Sequence, residues 1–111
     1  MENNDIVIIE LDRPRELKLT NRVLKRFLAK TGIRMKNFDE AVDVYENMVL
    51  LIFYMLQADD PTLTEDKVDL LLDKIPITEI ITKCAAAIAA GFGETEKQKE
   101  QDPGKENPTE P

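Results

Sequence analysis

Histidine does not occur anywhere in this chain of 111 residues. The chain therefore lacks the side chain that most often serves as a general base and as a ligand for transition metals. It also has no glycine-rich phosphate loop, because Gly91-Phe92-Gly93 follows a predicted helix and does not open one. These absences predict a protein that is not an enzyme and that uses no cofactor or metal.

Cysteine is nearly absent as well, since Cys84 is the only one. A single cysteine cannot form an intramolecular disulfide, which favours a reducing compartment. Cys84 lies on an apolar helical stripe without a basic neighbour, a pattern that predicts a buried structural thiol. The polar start Met1 to Asp5 and the short run Ile6 to Ile9 do not resemble a signal peptide, so we expect a soluble cytosolic protein.

The longest hydrophobic run is Met48 to Leu56, nine apolar residues without interruption. A membrane-spanning helix needs about 20 such residues, so no membrane association is predicted. The run is nevertheless too apolar for a helix with one face in water. It is either the central helix of a compact domain, or part of its surface is kept for a partner.

Charge is segregated along the chain, although the net charge is only −7. Arg13 to Lys36 contains nine basic residues and one acidic residue, and the remaining positions carry six lysines and 21 acidic residues. A basic segment beside an acidic body favours electrostatically steered partners, or head-to-tail association into a homo-oligomer. The length allows one domain with one modest core.

The pattern of apolar residues predicts a mainly α fold with a small N-terminal β-hairpin over residues 6–20. Residues 6–11 are rich in β-branched side chains, residues 12–15 have turn chemistry, and residues 16–20 alternate polar with apolar. An isolated hairpin is only marginally stable, so we expect it to pack on a compact bundle of about four helices.

Capping and helix-breaking residues define the four predicted helices. Asn37 and Glu40 approximate a capping box at the start of the second helix. The expected ranges are residues 21–30, 38–57, 65–75 and 76–90. This helical domain covers residues 1–93. Residues 94–111 contain no apolar side chain and predict a disordered acidic tail or linker.

The second predicted helix has more apolar side chains than one buried stripe requires. In a helix at the surface of a domain, the side chains outside the buried stripe would be polar, but in this helix four of them are apolar. Two interpretations stay open: the helix is central and covered on all sides, or these side chains form a surface for a partner or a second copy. The candidate partner-binding residues are Leu50, Leu51, Tyr54 and Met55.

The first predicted helix is amphipathic, with a basic face opposite its apolar side. Such a face is usually in contact with solvent alone. If it has a function, we expect it to form ion pairs with an acidic partner. The residues of this basic face are Arg22, Lys25, Arg26 and Lys30.

The start of the third predicted helix carries the most distinctive motif of the chain. Asp59 to Val68 reads Asp-Asp-Pro-Thr-Leu-Thr-Glu-Asp-Lys-Val, with Pro61, Leu63 and Thr64 before the helix and a leucine cluster after it. A basic helix closed by Thr-Gly and a very apolar helix precede this motif, and an alanine-rich helix ending in Gly-Phe-Gly follows. In this order, over roughly residues 6–93, the chain resembles the tail assembly chaperones of long-tailed bacteriophages and prophages.

The resemblance implies a protein that acts by binding alone. Such chaperones bind the tape-measure protein in the bacterial host cytoplasm, keep it soluble, help bring tail-tube subunits to it, and are absent from the finished virion. Many also occur in a longer form made by ribosomal frameshifting, and the polar tail fits either the end of a short form or the start of that extension.

Two other functions remain as alternatives. The first is a small adaptor or regulatory protein, unrelated to phage, that binds a helix of its partner. The second is a nucleic-acid-binding protein that uses the basic face. A pI near 4.6 and the lack of aromatic residues among the basic ones argue against nucleic acid.

Overall fold

Helices form most of the structure, and an antiparallel hairpin precedes them, as predicted. The computed structural model describes residues 6–93, so the predicted disordered tail lies outside the described residues. The elements in chain order are β1 (Val7–Glu10), β2 (Pro14–Leu17), α1 (Asn21–Thr31), a 3₁₀ turn (Met35–Asn37), α2 (Phe38–Ala41), α3 (Tyr45–Asp59), α4 (Glu65–Leu72) and α5 (Ile77–Gly91).

The hairpin turn is shorter than predicted, because Pro14 and Arg15 belong to β2 and not to the turn. Pro14 pairs with Glu10 at the end of the ladder, where a strand tolerates proline as its first residue. The alternation of side chains then places Arg15 and Leu17 on the buried side of β2. The sequence pattern assigned these residues to the turn because Asp12 and Pro14 have turn chemistry.

The ends of α1 follow the predicted capping pattern. The Thr20 hydroxyl accepts a hydrogen bond from the Val23 backbone N–H at 3.2 Å. At the other end Gly32 has φ of 72°, the left-handed conformation, and its N–H donates to the Leu28 carbonyl at 2.8 Å. Each capping hydrogen bond joins two residues no more than four positions apart, so the local sequence determines both helix ends.

The predicted second helix over residues 38–57 is wrong, because the chain breaks at residues 42–44. The segments Met35–Ala41 and Tyr45–Asp59 are bent by 112° relative to each other. Residues 42–44 are Val-Asp-Val, three poor helix formers, and the Asn47 side chain donates to the Ala41 carbonyl at 2.9 Å. The proposed capping box is also absent, since the Asn37 side chain makes no capping hydrogen bond.

Helix α3 is the centre of the domain, where it packs against β2, α1, α4 and α5. Its residues 51–56 are all buried. Among the described residues, no single helix is long and apolar enough to span a bilayer; Met35–Ala41 and Tyr45–Asp59 reach that length and composition only as a bent pair. The apolar run is therefore accounted for by burial inside the domain.

Helices α4 and α5 complete the bundle around α3. The Thr64 hydroxyl caps α4 by accepting from the Lys67 N–H at 3.2 Å. Helix α4 ends at Leu72, three residues earlier than predicted, and Pro76 directly precedes α5. Cys84 on α5 is fully buried, as predicted, and this burial raises the pKa of its thiol to about 12.

The C-terminal end of α5 is fixed by a close backbone approach and by aromatic packing. A Cβ atom built on Gly91 would lie 2.6 Å from the Leu19 Cβ and 2.9 Å from the Leu19 carbonyl oxygen. Next to it, the Phe92 ring stacks on Phe38 with centroids 5.6 Å apart, and Phe38 meets Phe27 edge-to-face at 5.7 Å. Glycine at position 91 is therefore required by the space available.

A buried arginine joins the hairpin to the α3–α4 loop. The Arg15 residue is 5% exposed. Its Nε and Nη2 atoms each donate to an Asp12 carboxylate oxygen at 2.9 Å, and Nη1 donates to Asp60 Oδ2 at 3.1 Å. Asp60 is also held by the Thr62 hydroxyl, which donates to its Oδ1 at 2.7 Å. Asp60 therefore ends α3 and also anchors the hairpin.

These contacts predict a loss of stability in acid. The Arg15 hydrogen bonds lower the pKa of Asp12 from 3.8 to about 2. The Thr62 hydroxyl, and then Arg15, also lower the pKa of Asp60. Because both folded-state pKa values lie below the unfolded ones, this stabilisation is complete above the unfolded value of 3.8 and disappears as pH falls toward 2.

We expect Arg15→Met to lower the urea midpoint at neutral pH and to flatten its decline between pH 5 and pH 2. The matched control is Arg13→Met, since Arg13 is 54% exposed and its guanidinium lies 3.8 Å from Asp60. Urea titrations at several pH values compare the two variants. Equal effects of both substitutions would contradict the role given to Arg15.

Candidate partner-binding groove

Three of the four predicted partner-binding residues are not available to a partner. Leu51, Met55 and Tyr54 are 0%, 2% and 7% exposed, so the prediction that they form a free surface is wrong. The reason is that α3 packs against α1, β2, α4 and α5. Only Leu50 keeps partial exposure.

A groove nevertheless opens beside Leu50, between the first half of α3, helix α4 and the start of α5. Two adjoining cavities of about 380 and 550 Å³ form it and share Tyr45, Val49 and Asp69. We call it the α3–α4–α5 groove. Its apolar lining consists of Tyr45, Val49, Leu50, Phe53, Val68, Leu72, Ile75, Ile77 and Ile80, and its acidic lining of Glu46, Glu65, Asp66, Asp69 and Asp73.

The groove separates α4 from the first half of α3. Tyr45 and Val49 of α3 line both cavities together with Asp69 of α4, so α4 lies alongside the first turns of α3 without closing against them. Tyr45 is 37% exposed and Ile77 is 61% exposed, whereas Phe53 at the deeper end is 9% exposed.

Helical spacing places the lining side chains on common faces. Tyr45, Val49 and Phe53 follow one another at intervals of four residues on α3. Glu65, Asp69 and Asp73 repeat at the same interval along α4 and its C-terminal cap. The first row supplies an apolar floor, and the second supplies a line of carboxylates along the rim.

The electrostatic character of the groove is uniformly negative. Its lining contains five carboxylates and no lysine or arginine. Within residues 6–93, none of the five lies within 4 Å of a basic side-chain nitrogen. Burial, together with the charges of Asp69 and Asp73, raises the pKa of Tyr45, because a phenolate there would be desolvated beside two anions.

The basic face of α1 is exposed at all four predicted positions: Arg22, Lys25, Arg26 and Lys30. One of them also has a structural contact, since the Arg26 guanidinium carbon lies 4.5 Å from the centroid of the Tyr54 ring. This cation–π contact covers the aromatic face that the sequence pattern predicted to be free. Its role as an ion-pairing surface for an acidic partner remains a prediction.

Charge reversal tests that surface. We expect Arg26→Glu with Lys30→Glu to leave the helix content unchanged, to lose about 0.5–1 kcal/mol from the cation–π contact, and to weaken association with an acidic partner or a second copy. Circular dichroism and sedimentation at low ionic strength measure the two effects. Unchanged association at low salt would remove the basic face as an interaction surface.

Of the four predicted partner-binding residues only Leu50 lines the groove, and the sequence pattern did not indicate the rest of the lining. The acidic row on α4 was visible as a four-residue repeat, but its position opposite the N-terminal half of α3 depends on the break at residues 42–44. That break fixes where α3 starts and which of its faces is uncovered.

No protein-family model, curated protein or solved structure matches the chain.

Proposed function

We propose that this protein is a tail assembly chaperone of a long-tailed phage or prophage. It binds the tape-measure protein stoichiometrically in the host cytoplasm, keeps it soluble, and helps recruit tail-tube subunits before leaving the assembled particle. The observation that carries the proposal is the α3–α4–α5 groove, an apolar concavity with an acidic rim on a small acidic domain. A chaperone for a long helical client needs such a surface together with enough charge to remain soluble.

The groove supports binding in a helix-in-groove mode. A client helix presents apolar anchors at intervals of three and four residues, which match the i, i+4 row of Tyr45, Val49 and Phe53. Covering the client's apolar stripe removes the surface through which tape-measure chains would aggregate. Binding requires no catalysis, since its free energy comes from burying apolar area on both partners.

Co-expression with a tape-measure protein, whose reading frame the proposal places next to this gene, tests the proposal. We expect the soluble fraction of the tape-measure protein to rise with this protein and to fall back with Leu50→Asp, which places a charge in the groove. The matched control is Leu70→Asp, because Leu70 is 66% exposed and does not line the groove. A tape-measure protein that stays insoluble with the wild-type chain would contradict the chaperone function and favour the adaptor alternative.

A further inference from the structure

We propose that the α3–α4–α5 groove selects a cationic amphipathic helix, a segment with lysine or arginine on both sides of an apolar stripe. This inference deepens the proposed function, on which it rests, by giving the chemistry of the client segment that is bound. It follows from the structure of the groove, which has an apolar floor and a separate acidic rim.

The apolar floor sets the first requirement on the occupant. Val49 and Leu50 are half-buried, and Tyr45 and Ile77 are more exposed, so an apolar stripe can add to the burial of all four. The row from Tyr45 to Phe53 covers eight residue steps, or about 12 Å. A helix of roughly two to three turns therefore spans the floor.

The rim sets the second requirement. Among residues 6–93 the five carboxylates of the groove form no ion pair, and an anionic helix would bring like charges against them. A neutral helix would fill the floor and leave the rim unpaired. Lysine or arginine beside the apolar stripe instead reaches the carboxylate row Glu65, Asp69 and Asp73 with its charged end.

Neither α1 nor the C-terminal segment of this chain supplies such a helix. In α1, Val23 and Phe27 are buried at 1% and 0% exposure and Leu24 and Leu28 are half-buried, so a second copy offers charge there with little free apolar surface. Residues 94–111 contain six acidic residues, three lysines and no apolar side chain. A different polypeptide is therefore favoured as the occupant over a second copy or the C-terminal segment.

The experiment uses the full-length protein and two synthetic helical peptides of 18 residues. The peptides share one leucine stripe and one tryptophan, and they differ only in having lysine or glutamate at every polar position. The protein contains no tryptophan, so peptide fluorescence reports binding without background. We expect the lysine peptide to bind at least about tenfold more tightly than the glutamate peptide, with affinity falling as salt is raised.

Paired variants locate the binding. Asp69→Asn with Asp73→Asn is expected to weaken the lysine peptide about fivefold. The control Glu10→Gln with Glu16→Gln removes the same charge from exposed hairpin positions outside the groove and leaves the affinity unchanged.

Several results would overturn the inference. These are equal affinity for the two peptides, equal weakening by the groove and hairpin variants, or a wild-type protein that self-associates while the variant with Asp69→Asn and Asp73→Asn stays monomeric. The last result would make a second copy the occupant. If the tape-measure protein is kept soluble but the lysine peptide is not preferred, the inference fails and the chaperone function stands. If the lysine peptide is preferred but the tape-measure protein stays insoluble, the chaperone function fails and the groove chemistry stands.

Discussion

Leu51→Asp is expected to unfold the domain, whereas Leu50→Asp at the adjacent position leaves it folded and weakens binding in the groove. Leu51 is fully buried in the central helix, where an unpaired carboxylate costs several kcal/mol by desolvation, even after its pKa rises. A small domain has a total stability of about 5–15 kcal/mol, so this loss removes most of the folded population. Leu50 lies half-buried in the groove, where a carboxylate remains in contact with water.

The two variants form a matched pair, because the substitution and helix α3 are the same and only the side of the helix differs. Circular dichroism at 25 °C and urea titration give the folded fraction of each variant. Binding of the tape-measure protein or of the lysine peptide then gives the effect on function. A folded Leu51→Asp variant that fails to bind would restore the original prediction that Leu51 is a partner-binding residue, and would contradict the burial described above.

The contrast between these neighbours shows which parts of the structure local sequence determines. The caps at Thr20, Gly32 and Thr64 were predictable, since each is a hydrogen bond within four residues of the chain. The link between Arg15 and Asp60 was not, because the two residues are 45 positions apart and turn chemistry at Arg15 suggested exposure. Apolar periodicity also could not separate Leu50 from Leu51 while the start of α3 was misplaced.

The distribution of charge gains a structural interpretation from the fold. The basic segment of residues 13–36 has two parts in the fold. Arg15 is buried in the core, whereas the basic face of α1 is exposed. The acidic body concentrates five carboxylates around one apolar groove. The fold therefore carries two separate surfaces of opposite sign, and the large exposed apolar side chains Tyr45 and Ile77 lie at the acidic one.

Gly91→Ala is expected to destabilise the domain by about 2 kcal/mol, although the substitution would normally stabilise a helix. Gly91 is the last residue of α5, and the alanine Cβ would lie 2.6 Å from the Leu19 Cβ and 2.9 Å from its carbonyl oxygen. Leu19 cannot retreat easily, because its side chain is 7% exposed in the core and the next residue, Thr20, caps α1. The clash must therefore displace the end of α5 and weaken the stacking of Phe92 on Phe38.

The control for this prediction is Gly32, where glycine is needed for a different reason. Gly32 has φ of 72° with no atom within 4 Å of an added Cβ, so Gly32→Ala costs about 1 kcal/mol through backbone strain alone. Asparagine tolerates this conformation, and Gly32→Asn should recover part of that loss. At Gly91 the obstacle is space, so Gly91→Asn should be no better than Gly91→Ala. Urea midpoints of the four variants separate the two mechanisms, and a midpoint raised by Gly91→Ala would show that α5 does not approach Leu19 this closely.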